Sequence, residues 1–305
     1  MTREQHLKNL RPPCRRVDVV LDTDTYNEID DQFAVSYLIK SGDRLNIKAL
    51  CAAPFHNENS SGPEDGMEKS YDELIKLLTL AGRTDLTSIV FKGSRSYLSD
   101  ESTPVESDAA GEIVRLARQY TPDEPLYVVA IGAITNVASA ILLDRAAMEN
   151  TVIVWLGGHA VHWPDSREFN MYQDVAAARV VYDSGIPYVQ LPCMGVVSAF
   201  AVSGPELEHW LRGQNPLCDY LADHTIEAAN SYAEGRVWSR VVWDVTAVAW
   251  LLNDNGRFMM SREIPTPIPE YDNSLSFDQS RPLMTYVWHI HRDALMQDLF
   301  EKLRG

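Results

Sequence analysis

Basic charge is scarce in this chain: 27 Lys and Arg stand against 43 Asp and Glu, a formal balance of −16. Non-specific affinity for nucleic acid rests on cations that neutralise phosphates, so this balance argues against a nucleic-acid partner. No apolar run approaches the roughly 20 residues that span a bilayer, which argues against a membrane-embedded protein. The basic start MTREQHLKNLRPPCRRVD is followed only by the short apolar stretch Val17–Leu21, too brief for the core of a secretory signal. The few cysteines, Cys14, Cys51, Cys193 and Cys218, show no CxxC spacing and no His partners at zinc-finger intervals. A thiolate metal site or a disulfide framework is therefore not expected, and the chain reads as cytoplasmic with reduced thiols. A linker rich in Gly, Ser or Pro, an internal repeat and a low-complexity tract are also missing. Residues 1–305 accordingly read as one domain, and a composition 45% hydrophobic is ample for a core.

What is present is an alternation of apolar bursts of strand length with helical periodicity. Val17–Leu21 predicts a strand, Gln32–Lys40 a helix closed by Gly42, and Ile47–Ala53 a second strand; His56–Gly66 has loop composition. Glu68–Ala81 predicts a helix, Ser88–Phe91 a short strand, Gly111–Tyr120 a helix, Leu126–Ile131 a strand and Thr135–Leu143 a helix. Val152–Leu156 leads as a buried strand into Gly157–Gly158, and Ala176–Ser184 (helix) and Tyr188–Leu191 (strand) follow. Such alternation predicts an α/β fold: a doubly wound, mostly parallel sheet flanked by helices on both faces, with a Rossmann-like core. After Gly204 the pattern changes to helices over Pro205–Arg212, Leu217–Tyr232 and Asp244–Leu252, an extended Ile264–Pro269, and a closing helix His289–Leu303. The C-terminal portion is thus expected to be helical.

The segment VDVVLDTDTYNEIDDQFAV carries the most chemistry. Asp22 and Asp24 fall on the turn at the carboxyl end of the first strand, and Asp30 and Asp31 open the next helix. Ligands of open parallel sheets bind outside the carboxyl ends of the strands, which is where these acids lie. One or two could be helix caps worth about 1 kcal/mol each. Four within ten residues repel one another unless a cation sits between them. A hard divalent ion held by oxygen, Ca²⁺ or Mg²⁺, resolves the conflict. LDTDT also resembles the strand end of haloacid-dehalogenase-type phosphatases, where Asp22 would be the nucleophile and Asp24 the acid/base. The further acidic pair those enzymes need does not stand out.

Other motifs follow in order: Gly132-Ala133-Ile134-Thr135-Asn136 after a strand; Gly157–Gly158 after a strand; Glu168-Phe169-Asn170 with Asp174 and Ala176–Ala177; and Trp243-Asp244 opening an apolar helix. Each alone has a plain structural reading, as a cap, a loop polar or a core aromatic. As an ordered set they resemble the inosine–uridine-preferring nucleoside hydrolase family. The resemblance implies hydrolysis of the N-glycosidic bond of ribonucleosides, with a calcium ion held by Asp24, Asp31, Asp244 and the backbone carbonyl of Ile131. Asp24 would take the proton of the attacking water, Asp30, Glu168 and Asn170 would hold the ribose, and Asp22 would support the cluster from behind. The partners implied are a small-molecule nucleoside and copies of the same chain, as a homodimer or homotetramer.

Three departures bear on the substrate. Five residues, Thr25 to Ile29, separate Asp24 from Asp30–Asp31 where the family commonly has three, which brings Tyr26, Asn27 and Glu28 towards the metal edge. The glycine-asparagine segment after the second strand becomes Ala53-Pro54-Phe55-His56-Asn57, making Asn57 the candidate sugar ligand there; an asparagine before Glu168 is replaced in the neighbourhood of His162 and Trp163. Trp243 takes the place of a His that can protonate the leaving base, and stacking of Trp243 on the base leans the expectation to purines. Tyr232 and Arg236 lie where the family places base-side residues. A different N-riboside or glycoside as substrate, and a nucleoside- or sugar-binding protein without turnover, remain open alternatives.

Overall fold

The computed structural model describes residues 1–305. Its centre is an eight-stranded sheet built from β1 (Val17–Thr23), β2 (Leu45–Ala52), β3 (Val90–Lys92), β4 (Leu126–Ala130), β5 (Thr151–Leu156), β6 (Tyr188–Leu191), β7 (Met259–Pro265) and β8 (Leu283–Ile290). The order is β3-β2-β1-β4-β5-β6-β8-β7. Every pairing is parallel except that of β7 with β8. The order reverses between β1 and β4, so the topological switch point, where such sheets bind ligands, lies beside the end of β1.

The strands read as continuous apolar runs because the sheet is covered on both faces. Val19 and Leu21 of β1 and Tyr127 and Val129 of β4 enter one hydrophobic cluster. Their neighbours Val20, Leu126, Val128 and Ala130 enter the other. The first face carries the helices α1 (Asp30–Lys40), α2 (Pro63–Leu80), α7 (Pro216–Ala233), α8 (Val245–Trp250) and α9 (Arg292–Arg304). The second carries α3 (Asp108–Ala117), α4 (Thr135–Leu143) and α6 (Val175–Asp183), with the short α5 (Phe169–Gln173) before α6. No helix is long and apolar enough to cross a membrane.

The expected doubly wound, mostly parallel sheet is found, and the helices and strands up to Leu191 lie within a few residues of their predicted spans. The expectation of a helical C-terminal portion holds only as far as Trp250. Beyond it, β7 and β8 extend the sheet, and the last helix starts at Arg292 because His289 and Ile290 complete β8. The expected extended segment Ile264–Pro269 catches only the end of β7 and the short strand Ile268–Pro269; the rest of β7 and all of β8 do not advertise themselves. Met284, Thr285, Tyr286 and Val287 are all buried, so β8 lacks a period of two, while β7 is an edge strand whose Met260–Glu263 face solvent.

Candidate active site

The carboxyl ends of β1, β4 and β5 meet at the switch point, and the start of α8 closes over them. Asp30, Asp31 and Asp244 present carboxylate oxygens that all lie within 4.8 Å of one another. Asp24 sits behind them, fully buried, and neither of its carboxylate oxygens has a hydrogen-bond partner; Asp244 Oδ1 is likewise unpartnered. Such orphaned acceptors cost free energy unless a bound group satisfies them. Gly132, at the end of β4, makes room for this arrangement: a Cβ there would lie 2.8 Å from Asp24 Oδ1. Thr23 Oγ1 donates to Asp31 Oδ1 at 2.5 Å and so aims that side chain.

The electrostatics follow from the crowding. Burial, and then the charge of Asp31, hold the Asp24 carboxyl well above the usual range. Burial and the neighbouring aspartates do the same to Asp31 and Asp244. Burial pushes Asp30 up to about 7, with Glu28 adding to the rise and Arg240 opposing it. These groups resist ionisation together, and a divalent cation among them removes the conflict. The donor set is all oxygen and fits a hard cation. The Ile131 carbonyl accepts from Asn170 Nδ2 at 3.0 Å and keeps a second lone pair free.

Asp22 stands apart. Its side chain is fully buried, accepts from Asn136 Nδ2 at 2.7 Å, and lines neither of the cavities at the site. Asn136 in turn accepts from the Ser94 N–H and hydroxyl, which ties α4 to the end of β3. The phosphatase alternative would place its nucleophile on Asp22, which is tied to Asn136 and does not belong to the Asp30, Asp31 and Asp244 group.

In front of the carboxylates lies a cavity of about 210 Å³, whose walls include Asp30, Asp31, Ile131, Glu168, Asn170, Trp243 and Asp244. Seven residues singled out in the sequence thus meet here, from parts of the chain that are far apart. Tyr232 and Asn57 instead line an adjoining cavity of about 710 Å³, and Asn27 and Glu28 line both. Asn57 Nδ2 donates to Asn27 Oδ1, which ties the loop after β2 to the longer turn after Asp24. Glu168 caps α5, as an ordinary loop polar would not. Its Oε1 accepts from Asn170 N at 2.9 Å, and its Oε2 accepts from Gly158 N at 2.8 Å and Met171 N at 3.0 Å.

Asp24, like Asp22, lines neither cavity, and two further candidates, His162 and Arg236, also fall outside both. His162 is exposed within the turn closed by the Trp163 N–H to Ala160 carbonyl hydrogen bond, its ring against Gly195. His159, from the same loop, lines the inner cavity in its stead. Its Nδ1 accepts from Met194 N at 3.3 Å, leaving the proton on Nε2, and burial lowers its pKa so the ring favours the neutral form. The positive φ of Gly158 turns the chain sharply, and His159 is the first side chain beyond that turn. Proximity to the end of β5 was the signal that could have found it. Arg236 is exposed in the loop after α7. The chain then returns as a two-residue strand, Arg240–Val241, paired with Ala201–Val202, and this brings Arg240 to the cavity edge, where it meets Glu28 at 2.8 Å. Phe169, Met194 and Cys193 of the inner wall carried no sequence signal of their own.

A nucleotide-type α/β sheet with a buried carboxylate cluster at its switch point defines the class. The family described as inosine-uridine preferring nucleoside hydrolase matches residues 19–277, and the chain belongs to it, as an N-glycosyl hydrolase. Among similar proteins, the pyrimidine-specific ribonucleoside hydrolase RihA of Photobacterium profundum is 25% identical over 260 residues, 77% of this chain and 79% of that one. A plant nucleoside hydrolase, PpNRh1, superposes with a TM-score of 0.74 at 19% identity, covering 95% of this chain and 99% of that one. A purine-preferring ribonucleoside hydrolase from Gardnerella vaginalis gives a TM-score of 0.75 at 18% identity, covering 94% and 98%. At these identities the two structures speak for the fold.

Proposed function

We propose that this protein hydrolyses the N-ribosidic bond of ribonucleosides, with a lean to purines, and uses Ca²⁺ at the carboxylate cluster. The observation that carries the reading is Asp24: both its oxygens are buried and unpartnered beside Asp30, Asp31 and Asp244. Asp24, Asp31, Asp244 and the Ile131 carbonyl would hold the ion. When bound, Ca²⁺ supplies Lewis acidity and neutralises the crowded carboxylates. Asp24 takes a proton from the attacking water as its oxygen bonds to C1′ of the sugar. The C1′–N bond breaks and its electron pair leaves with the base. Positive charge develops on the sugar in the transition state, and the surrounding carboxylates stabilise it. Asn170 spends Nδ2 on the carbonyls of Ile131 and Leu156, which orients Oδ1 as an acceptor for a ribose hydroxyl, and Asp30 offers another. Glu168 holds the loop that presents Asn170. Trp243, on the wall of the same cavity, offers a face for the base, which is the ground for the purine preference.

The test is release of free base from a panel of purine and pyrimidine ribonucleosides in Ca²⁺, read by chromatography, with Asp24→Asn alongside. Loss of a positioned proton acceptor lowers turnover by about 10²–10⁴-fold. No base released from any nucleoside by the wild-type protein sinks the reading. Assembly as a homodimer or homotetramer and a cytoplasmic location belong to the same proposal, and light scattering of the purified protein tests the first.

A further inference from the structure

The longer turn after Asp24 does something specific. Glu28, supplied by that turn, accepts from Arg240 Nη2 at 2.8 Å, and with Asn27 it forms the wall shared by the inner and outer cavities. The inner space, about 210 Å³, is smaller than the roughly 300 Å³ at which pockets for drug-sized ligands begin. It accommodates a sugar more readily than a whole nucleoside. The outer space, about 710 Å³, is lined by Tyr26, Gln32, Asn57, His224, Tyr232 and Arg240 among others.

Three unpartnered polar atoms belong to that outer wall: Gln32 Oε1, His224 Nδ1 and Arg240 Nε. Gln32 is only 6% exposed, so its acceptor has no recourse to bulk water. Buried polar atoms of this kind call for a complementary group. Gln32 Oε1 needs an N–H, and Arg240 Nε needs an acceptor. A planar heterocycle carries both on one edge, and the rings of Tyr26 and Tyr232, each about half exposed, give it faces to lie against.

We propose that the outer cavity receives the leaving base of a ribonucleoside whose sugar occupies the inner one, and that Arg240, latched by Glu28 in the free protein, recognises that base. The proposal rests on the N-ribosidase reading and assigns the specificity of that site to Arg240 and Gln32. Trp243 meets the base near the sugar; Arg240 meets its far edge. Substrate entry exchanges the Glu28 contact of Arg240 for one with the base, so Glu28 opposes binding and Arg240 favours it.

The experiment compares kcat/KM for a ribonucleoside with that for p-nitrophenyl riboside, whose leaving group lacks a heterocyclic donor–acceptor edge. The ratio of the two is expected to fall at least tenfold in Arg240→Met, and to rise in Glu28→Gln, which loosens the latch. Equal losses on both substrates in Arg240→Met, or an unchanged ratio, overturn the proposal. Because Arg240→Met leaves Glu28 unpaired, Arg240→Lys is measured with it; it keeps the charge without the Nε–H, and a wild-type ratio in this variant also overturns the proposal. If the wild-type protein hydrolyses neither substrate, the N-ribosidase reading fails by itself. Calorimetry with the nucleoside then reads the latch directly: a Kd at least tenfold weaker in Arg240→Met supports it, and an equal Kd or no binding to the wild type overturns it.

Discussion

Replacing Glu168 separates a residue that holds the site from one that only touches substrate. Its carboxylate accepts three backbone N–H groups, from Gly158, Asn170 and Met171, at 2.8–3.0 Å, and the side chain is 7% exposed. In Glu168→Ala all three donors lose their partner in a dry environment. At about 1–3 kcal/mol each, the loss of about 3–9 kcal/mol rivals the 5–15 kcal/mol that hold a typical domain together. That variant is expected not to fold stably. Glu168→Gln is the informative change. Its amide oxygen can keep the two donors now shared by Oε2, but its NH₂ then faces the N–H of Asn170. One charge-assisted hydrogen bond becomes a donor–donor contact, worth about 1.5–3 kcal/mol. Burial opposes the charge of Glu168 and holds its pKa above the usual range, so neutralising it returns part of that loss. The net expectation is destabilisation by about 1–2 kcal/mol, together with a raised KM because Asn170 is no longer held. Urea unfolding in excess Ca²⁺ measures the first and steady-state kinetics the second. A Glu168→Gln protein of wild-type stability, with activity lost, would refute the structural role and leave Glu168 as a ribose ligand alone.

Metal-free protein should show the opposite pH trend from the loaded form. Burial pushes Asp22 and Asp30 up to about 7, well above the value of about 4 for an unfolded chain. Between those values the folded state holds protons that the unfolded state has released, so this contribution to stability is full at low pH and is lost as pH rises towards 7. Ca²⁺ would displace protons from its own ligands Asp24, Asp31 and Asp244, whose carboxyls burial likewise holds well above the usual range, and the gain in melting temperature on adding it should grow from pH 5 to pH 8; a gain that is constant or shrinks contradicts the site. Trp243→Ala should lower kcat/KM for purine ribonucleosides several-fold more than for pyrimidine ones, since aromatic pairing contributes about 0.5–1.5 kcal/mol beyond burial; equal losses remove the ground for a purine lean. His159→Ala should raise KM more than His162→Ala does, because only His159 lines the inner cavity, and the reverse order in side-by-side kinetics would show that the loop is differently placed.

Much of this molecule is determined locally. Apolar runs of five or six residues between helical periods dictate parallel strands covered on both faces, and four carboxylates at the first strand end crowd like charges where a cation could relieve them. The same locality explains the limits. Strand β8 and all but the end of β7 escape notice because an edge strand need not be apolar and a strand buried on both faces need not alternate. In the loop after β5 the sequence offers two histidines, but which one faces the cavity depends on the positive φ of Gly158 and the backbone turn behind it. Likewise Arg240, and not Arg236, reaches the site because its segment pairs with a strand from elsewhere in the chain. Periodicity is a property of neighbours in the chain and can be read there. Convergence is not: that Asp244 joins Asp30 and Asp31 within 4.8 Å and that Asp24 is left with two unpartnered oxygens are consequences of packing between distant segments, which only the tertiary structure decides.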